Sequence, residues 1–214
     1  MEHALDNIIS RCIEEALPSH DHLILAIDGR SASGKTTLAA RLSERFNADV
    51  IHMDDFFLPL SMRTPERLAE PGGNVHYERF FSEIIEPLIL ASKKPFCPEN
   101  DALTHACPSA ALPALTWKRF DCSTGSFSLN SCHTSGQPLL IIEGAYSMRP
   151  EFRATYDMSF FLTAAASLQK ERIIARNGSE RWRAFQEKWI PMEEKYFSYY
   201  QIEHCCDMTL ESRR

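Results

Sequence analysis

Gly29-Arg30-Ser31-Ala32-Ser33-Gly34-Lys35-Thr36-Thr37 is the stretch that decides the reading of this chain. Gly29, Gly34, Lys35 and Thr36 fill every fixed position of the phosphate-loop pattern G-x-x-x-x-G-K-[ST]. The stretch follows the apolar run Leu23-Ile24-Leu25-Ala26-Ile27 and the acid Asp28, and it precedes Leu38, Leu42 and Phe46 at helical spacing. Strand, glycine loop and helix in that order are the context in which such a loop works, and a chance Gly/Ser-rich turn is the alternative they argue against. The glycines let successive N–H groups turn toward phosphate oxygens, and the helix starting there adds its positive dipole end. A nucleoside triphosphate is therefore the expected ligand. Lys35 is expected on its β- and γ-phosphates and Thr36 on magnesium, with Ser31, Ala32, Ser33 and Thr37 completing the loop contacts.

Outward from the loop, strand-like runs alternate with helical patterns. Leu5, Ile8, Ile9, Cys12, Ile13 and Ala16 predict an amphipathic opening helix. Residues 49–52 read as a short second strand ended by Asp54 and Asp55, and 75–91 repeats apolar residues with helical period. Leu139-Leu140-Ile141-Ile142 is continuous apolar sequence, as in a strand buried on both faces. A strand at 158–162, a helix at about 166–177, a long helix at 181–200 interrupted at Pro191 and a last strand at 208–210 complete the order. That order predicts a parallel central sheet with helices on both faces, a three-layer α/β/α fold of the P-loop NTPase kind, with ligands beyond the C-terminal strand ends. Residues 94–137 break the rhythm with Pro, Ser, Thr and Cys, and read as an insertion with one hairpin around 115–129. It is expected to pack on the parent fold within a single domain of 1–214.

The 214 residues are 44% hydrophobic and 24% charged with a net charge of -6, enough apolar surface for a core and little basic surface for nucleic acid. No window nears the roughly 20 apolar residues of a membrane span. The acid-containing N-terminus is no secretory signal, so a cytoplasmic protein is expected. Seven cysteines are an odd count. Cys97, Cys107, Cys122 and Cys132, with His105 and His133, lack a C-x-x-C pair, and reduced structural thiols are the expectation over zinc. The sequence leaves the oligomeric state open, a homo-oligomer included.

Among phosphate-loop proteins a switch GTPase carries N-K-x-D and a transport ATPase an L-S-G-G-Q-like signature; the chain has neither. It has instead an acid pair after the second strand and a basic stretch toward its C-terminus, which suit phosphoryl transfer to a hydroxyl.

Four stretches resemble the uridine kinase–phosphoribulokinase group of P-loop kinases, over most of the chain except 94–137. The loop is similar to the group's G-x-S-[GA]-S-G-K-T. Met53-Asp54-Asp55-Phe56-Phe57 is similar to D-S-F-Y, which puts Asp54 on the acid that takes the acceptor's proton and lies close to magnesium. A cap or supporting role is expected of Asp55. Ile141-Ile142-Glu143-Gly144-Ala145-Tyr146 resembles the E-G ending a central strand, which implies that Glu143 holds magnesium beside Thr36. Residues 172–183 resemble the lid pattern R-x-x-x-R-D-x-x-E-R-G-R, which implies triphosphate contacts from Arg172, Arg176, Arg181 and Arg183 within a lid of about 172–185. Trp182 stands where that pattern has a small residue, and a solvated basic helix is the alternative.

The resemblance implies a Mg-ATP-dependent kinase acting on a hydroxyl of a nucleoside-like small molecule, with Lys35, Asp54 and Arg176 catalytic. The acceptor half matches less well. The group's N-F-D segment corresponds to Gly73-Asn74-Val75-His76-Tyr77-Glu78, with His76 in place of an acid. His76, Tyr77, Glu78, Phe57 and Tyr146 are the expected acceptor contacts, together with Asp54. The departure keeps two alternatives open: a kinase for another metabolite (pantothenate, a sugar phosphate, a nicotinamide nucleoside), or a silent nucleotide-binding regulator.

Overall fold

The structure, a computed structural model, describes residues 2–92, 112–121 and 124–213. Five strands form a parallel sheet in the order β2-β5-β1-β6-β7: β1 Leu23–Gly29, β2 Asp49–His52, β5 Leu139–Glu143, β6 Met158–Ala164 and β7 Met208–Ser212. The two remaining strands, β3 Thr116–Asp121 and β4 Ser126–His133, pair as an antiparallel hairpin. β1 lies at the centre, with Leu25 facing Ile141 on one side and Met158 on the other. This is the expected P-loop NTPase-like α/β/α architecture.

Side-chain alternation along β1 divides the core in two. Leu23, Leu25 and Ile27 point to one face, where they pack with Ile9 and Ile13 of α1 (Glu2–Ala16) and Leu38 and Leu42 of α2 (Lys35–Phe46). Ile24 and Ala26 point to the other face, with Phe161, Phe80, Ile84 and Phe197. Every residue of β1 and β5 is buried, which explains why these strands read as unbroken apolar runs. Of the opening helix's stripe, Ile8 stays 40% exposed while Ile9 and Ile13 are fully covered.

The second face is closed by helical segments. After the short α3 (Pro65–Ala69), α4 (Tyr77–Phe80) runs through a π turn at Phe81–Ile85 into α5 (Glu86–Ser92). Near the C-terminus α6 (Ala166–Asn177) stops at Gly178 (φ 84), α7 (Ser179–Ala184) follows, and a second π turn at Phe185–Trp189 leads into α8 (Ile190–Tyr199). The interruption expected at Pro191 takes this form: the proline sits in the first turn of α8, where its missing N–H costs least, and the π turn precedes it. The short α9 (Ile202–Cys205) leads to β7. Among the described residues no helix is long and apolar enough to cross a membrane.

Leu112, Leu115 and Trp117 of the inserted segment belong to the same buried cluster as Ile51, Phe56 and Ile142. The hairpin is thus docked on the main core. Of the cysteines weighed for zinc, Cys97, Cys107 and Cys122, with His105, lie outside the described residues, and Cys132 is a free thiol.

Asp28, inside β1 and with no exposure, places a carboxylate in this core. It accepts hydrogen bonds from the N–H groups of Gly29 (2.6 Å), Tyr146 (3.2 Å) and Met148 (2.9 Å) and from the Tyr196 hydroxyl (2.8 Å). Asp28→Ala would leave these four donors buried and unpaired. We expect it to cost roughly 3 kcal/mol or more and to lower Tm by on the order of 10 °C, while Tyr196→Phe costs about 1 kcal/mol. Thermal unfolding followed by circular dichroism measures both, and equal small effects would deny Asp28 this role.

Candidate active site

The phosphate loop leaves β1 at Gly29, whose φ of 139 is open to glycine alone. A Cβ there would stand 2.0 Å from the Leu162 carbonyl oxygen of β6, so the loop starts flush against the neighbouring strand. Ala32 (φ 58) and Gly34 (φ 102) complete the turn before α2 begins at Lys35. The Lys35 ammonium, buried under the loop, donates to the carbonyls of Gly29 (2.7 Å) and Arg30 (2.9 Å). Arg30 turns away to bind Glu194 (2.7 Å) and Thr163 (2.9 Å).

The loop is also gripped from outside. Glu193 of α8, buried, accepts from the Ser31 N–H (2.9 Å) and from the Ser31 hydroxyl. Gln169 of α6 donates to the Ser31 carbonyl (2.9 Å), and Arg172 donates to the Ala32 carbonyl (3.2 Å) and the Ser212 hydroxyl (2.7 Å). Burial pushes the Glu193 carboxyl up, and Lys35 and the Ser31 hydrogen bonds pull it back.

Beyond β2 and β5 lie the acids. Glu143, 4% exposed, receives the Thr36 hydroxyl (3.1 Å), and His52 Nδ1 stands 2.6 Å from the same oxygen. That contact raises the His52 imidazole above its ordinary value. Gly144 follows at φ 134, where a Cβ would meet the Met53 side chain at 2.8 Å, so the turn carrying Asp54 sits directly against the end of β5. Asp54 lines the cleft with its residue surface exposed to solvent. Desolvation by the protein around its carboxyl, and then the Glu143 charge, raise it, against Lys35, His52 and Arg176. Asp55 points the other way. It accepts from Trp117 Nε1 (2.8 Å) and Arg119 Nε (2.9 Å) and so ties the hairpin to the turn, the supporting role expected of it.

These groups line one cleft of about 660 Å³ beyond the strand ends, within the usual size range of small-molecule sites. Thr36, Glu143 and Asp54 present hard oxygen donors, and the Glu143 charge acting on Asp54 marks a place that suits a divalent cation such as magnesium. Among the described residues no group of three or more His, Cys, Asp or Glu is arranged to hold a metal by itself, so nucleotide oxygens and water would have to supply the rest of such a shell.

No family model matches the chain, and no curated protein matches it. Solved structures do. One described as a possible uridine kinase from Bacillus stearothermophilus superposes with a TM-score of 0.65 at 21% identity, over 98% of this chain and 100% of that one. A D-glycerate 3-kinase from Cryptococcus neoformans gives 0.55 at 15% identity, over 89% and 87%. These likenesses show a shared fold, the three-layer α/β/α fold of the P-loop NTPases.

On this fold the residues expected from sequence separate into two sets. Ser31, Ala32, Gly34, Lys35, Thr36 and Thr37 line the cleft, as do Asp54, Phe57, Glu143 and Tyr146, and as do Arg172, Arg176 and Arg181. Gly29 and Ser33 shape the loop from behind. Arg183 lies outside, its side chain 82% exposed and paired with Glu187 (2.8 Å), and Trp182 rests near Lys170.

The segment 76–78 also lies outside the cleft lining. His76 caps α4 by accepting the Arg79 N–H (3.2 Å). Tyr77 is clamped between the guanidinium groups of Arg67 (3.8 Å) and Arg149 (3.7 Å). Glu78 takes both Arg67 nitrogens (2.7 and 2.8 Å); burial alone would raise its carboxyl, but Arg67 outweighs it and holds it at about 2. The geometry occupies all three with structural contacts.

Sequence reasoning missed Glu193, Gln169 and His52, which hold the loop and Glu143, and Arg63, Phe185 and Trp189, which line the cleft. Phe185 and Trp189 are the two ends of the second π turn, a local rewinding without a sequence signature. Glu193 sits beside Glu194 in sequence and reads like any solvated acid pair. Their roles differ, which can be measured. Glu193→Ala should cost about 2 kcal/mol of stability, whereas Glu194→Ala, removing a half-exposed partner of Arg30, should cost about 1 kcal/mol or less. Equal losses in denaturant unfolding would deny Glu193 its hold on the loop.

Proposed function

We propose that the protein is a Mg-ATP-dependent kinase that moves the γ-phosphoryl group of ATP to a hydroxyl of a small molecule. The observation that carries this reading is the gathering of Lys35, Asp54 and the arginines 172, 176 and 181 around one cleft at the end of the sheet. A pure nucleotide binder has no use for an acid placed as Asp54 is.

In this mechanism the loop N–H groups and the start of α2 cradle the phosphates, and Lys35 exchanges its carbonyl partners for the β- and γ-phosphate oxygens. Thr36, Glu143 and Asp54 would hold magnesium, which neutralises phosphate charge when bound. The acceptor oxygen attacks the γ-phosphorus in line, the bond to the β,γ-bridging oxygen breaks, and Asp54 receives the hydroxyl proton. Arg176 and Arg181, on either side of Gly178, meet the charge on the transferring oxygens, and closure of that segment excludes water as a competing acceptor.

A nucleoside-like acceptor is the reading that the resemblance to uridine kinases suggests. A kinase for another metabolite is the second reading. It is favoured by the engagement of His76 and Glu78 outside the cleft, which leaves the acceptor half without the acid that would grip a ribose.

Asp54→Asn should lower kcat at least about 100-fold while the Kd for ATP stays within about threefold. Because the Asp54 carboxyl is raised and must be unprotonated to act, kcat/KM of the native enzyme should fall on the acid side with an apparent pKa above the ordinary aspartate range. Turnover by the Asn variant equal to the native rate would remove Asp54 as the base. ATP consumption over nucleosides, vitamins and sugar phosphates names the acceptor.

A further inference from the structure

One end of the cleft holds a cation and a buried oxygen that phosphoryl transfer itself does not use. Arg63 follows the turn Leu60–Met62 and lines the cleft with Asp54 and Phe57. Its Nε donates to the Leu58 carbonyl (2.8 Å) and its guanidinium carbon stands 5.9 Å from the centre of the Phe120 ring. No carboxylate among the described residues pairs with it. The neighbouring arginines are all committed: Arg67 to Glu78, Arg119 to Asp55, and Arg79 to the carbonyls of Asp55 and Lys118. A half-buried guanidinium held in place at a cleft wall, with its outer nitrogens unpaired by acid, is a preformed partner for a carboxylate or phosphate.

Asn74 stands in the same wall. It is 4% exposed, it lines the cleft, its side-chain amide meets the Tyr146 hydroxyl, and its Oδ1 has no hydrogen-bond partner. A buried carbonyl oxygen without a donor is costly, and a hydroxyl arriving in the cleft would satisfy it. The backbone joins the two residues. Phe57 and Val75 form an antiparallel bridge, the Leu58 N–H donates to the Asn74 carbonyl (3.0 Å), and the Leu58 carbonyl receives Arg63. One peptide segment therefore fixes the cation and the free acceptor atom relative to each other and to Asp54, four residues before Leu58.

We propose that Arg63 and Asn74 form the acceptor-recognition site and that the acceptor is a small hydroxylated anion. Its carboxylate or phosphate group sits on Arg63, and one of its hydroxyls donates to Asn74 Oδ1. This rests on the kinase reading of the cleft. It explains why an acid gripping a neutral ribose is absent from the lining. The carboxylates there, Asp54, Glu143 and Glu193, already serve the hydroxyl proton, the cation and the loop.

The test is a set of matched acceptors with the full-length protein, measured as ATP consumption: pantothenate against pantothenyl alcohol, glycerate against glycerol, ribose phosphate against ribose, with uridine as the neutral nucleoside. We expect the anionic member of at least one pair to be phosphorylated with kcat/KM about tenfold or more above its neutral partner. Arg63→Gln should raise the KM for that acceptor about tenfold or more and leave the KM for ATP within about twofold, and Arg63→Lys, which keeps the charge but not the Leu58 contact, should recover most of the loss. Preferred turnover of uridine or another neutral acceptor would overturn the proposal and leave the kinase reading standing. So would an Arg63→Gln effect confined to ATP. ATP binding without phosphorylation of any acceptor would overturn the kinase reading and this proposal with it.

Discussion

A carboxylate with no access to water holds the working parts of this molecule in register. Asp28 ends the apolar part of β1 and gathers four donors: its neighbour Gly29, two backbone N–H groups from the segment after β5, and the Tyr196 hydroxyl of α8. Burial raises its carboxyl, and the hydrogen bonds from Met148, Tyr196 and Gly29 oppose that rise without cancelling it. The residue is thus a cost in solvation that an apolar side chain would avoid. What it supplies is a fixed geometry, because no apolar residue could satisfy donors arriving from three separate segments.

From that point the placement of the active groups follows. Glu193 lies three residues before Tyr196 and so faces the same way on α8, which brings its carboxylate onto Ser31. One helical turn therefore secures both Asp28, at the entrance of the phosphate loop, and the Ser31 N–H within it. On the far side, Gly144 lets the turn of Asp54 press against the end of β5, and Glu143 is shared between Thr36 and His52. The cleft that results has cations from the loop, α6 and α7 on one hand and a close acid pair on the other. A triphosphate with a divalent cation balances such an arrangement.

The sheet and its order of elements were legible in the sequence because both signals are local. Unbroken apolar runs mark β1 and β5, helical spacing marks α2, and the glycines with Lys35 and Thr36 mark the loop between them. Asp54 and Glu143 were legible for a similar reason, as acids at strand ends. The strand order, with β5 inserted between β1 and β2, left no comparable trace, since it depends on contacts more than 80 residues apart in sequence. The surroundings of the expected acceptor segment were hidden on the same ground. His76 and Glu78 stand next to the expected segment in sequence, but Arg67, from a separate short helix, draws Glu78 away, and His76 is spent on capping α4. Asn74 lay within the segment that drew attention, whereas nothing in a lone arginine between Met62 and Thr64 distinguishes Arg63 before Leu58 and Phe120 are seen around it.

The account stands on the claim that the cleft carries a phosphoryl group from ATP to an organic hydroxyl. The fate of label from γ-labelled ATP, followed with the acceptors present, tests this most directly. Label recovered in a phosphomonoester of the acceptor, at a rate matching ADP formation, is the result the geometry predicts. Label appearing solely as inorganic phosphate, or remaining in ATP, would contradict it.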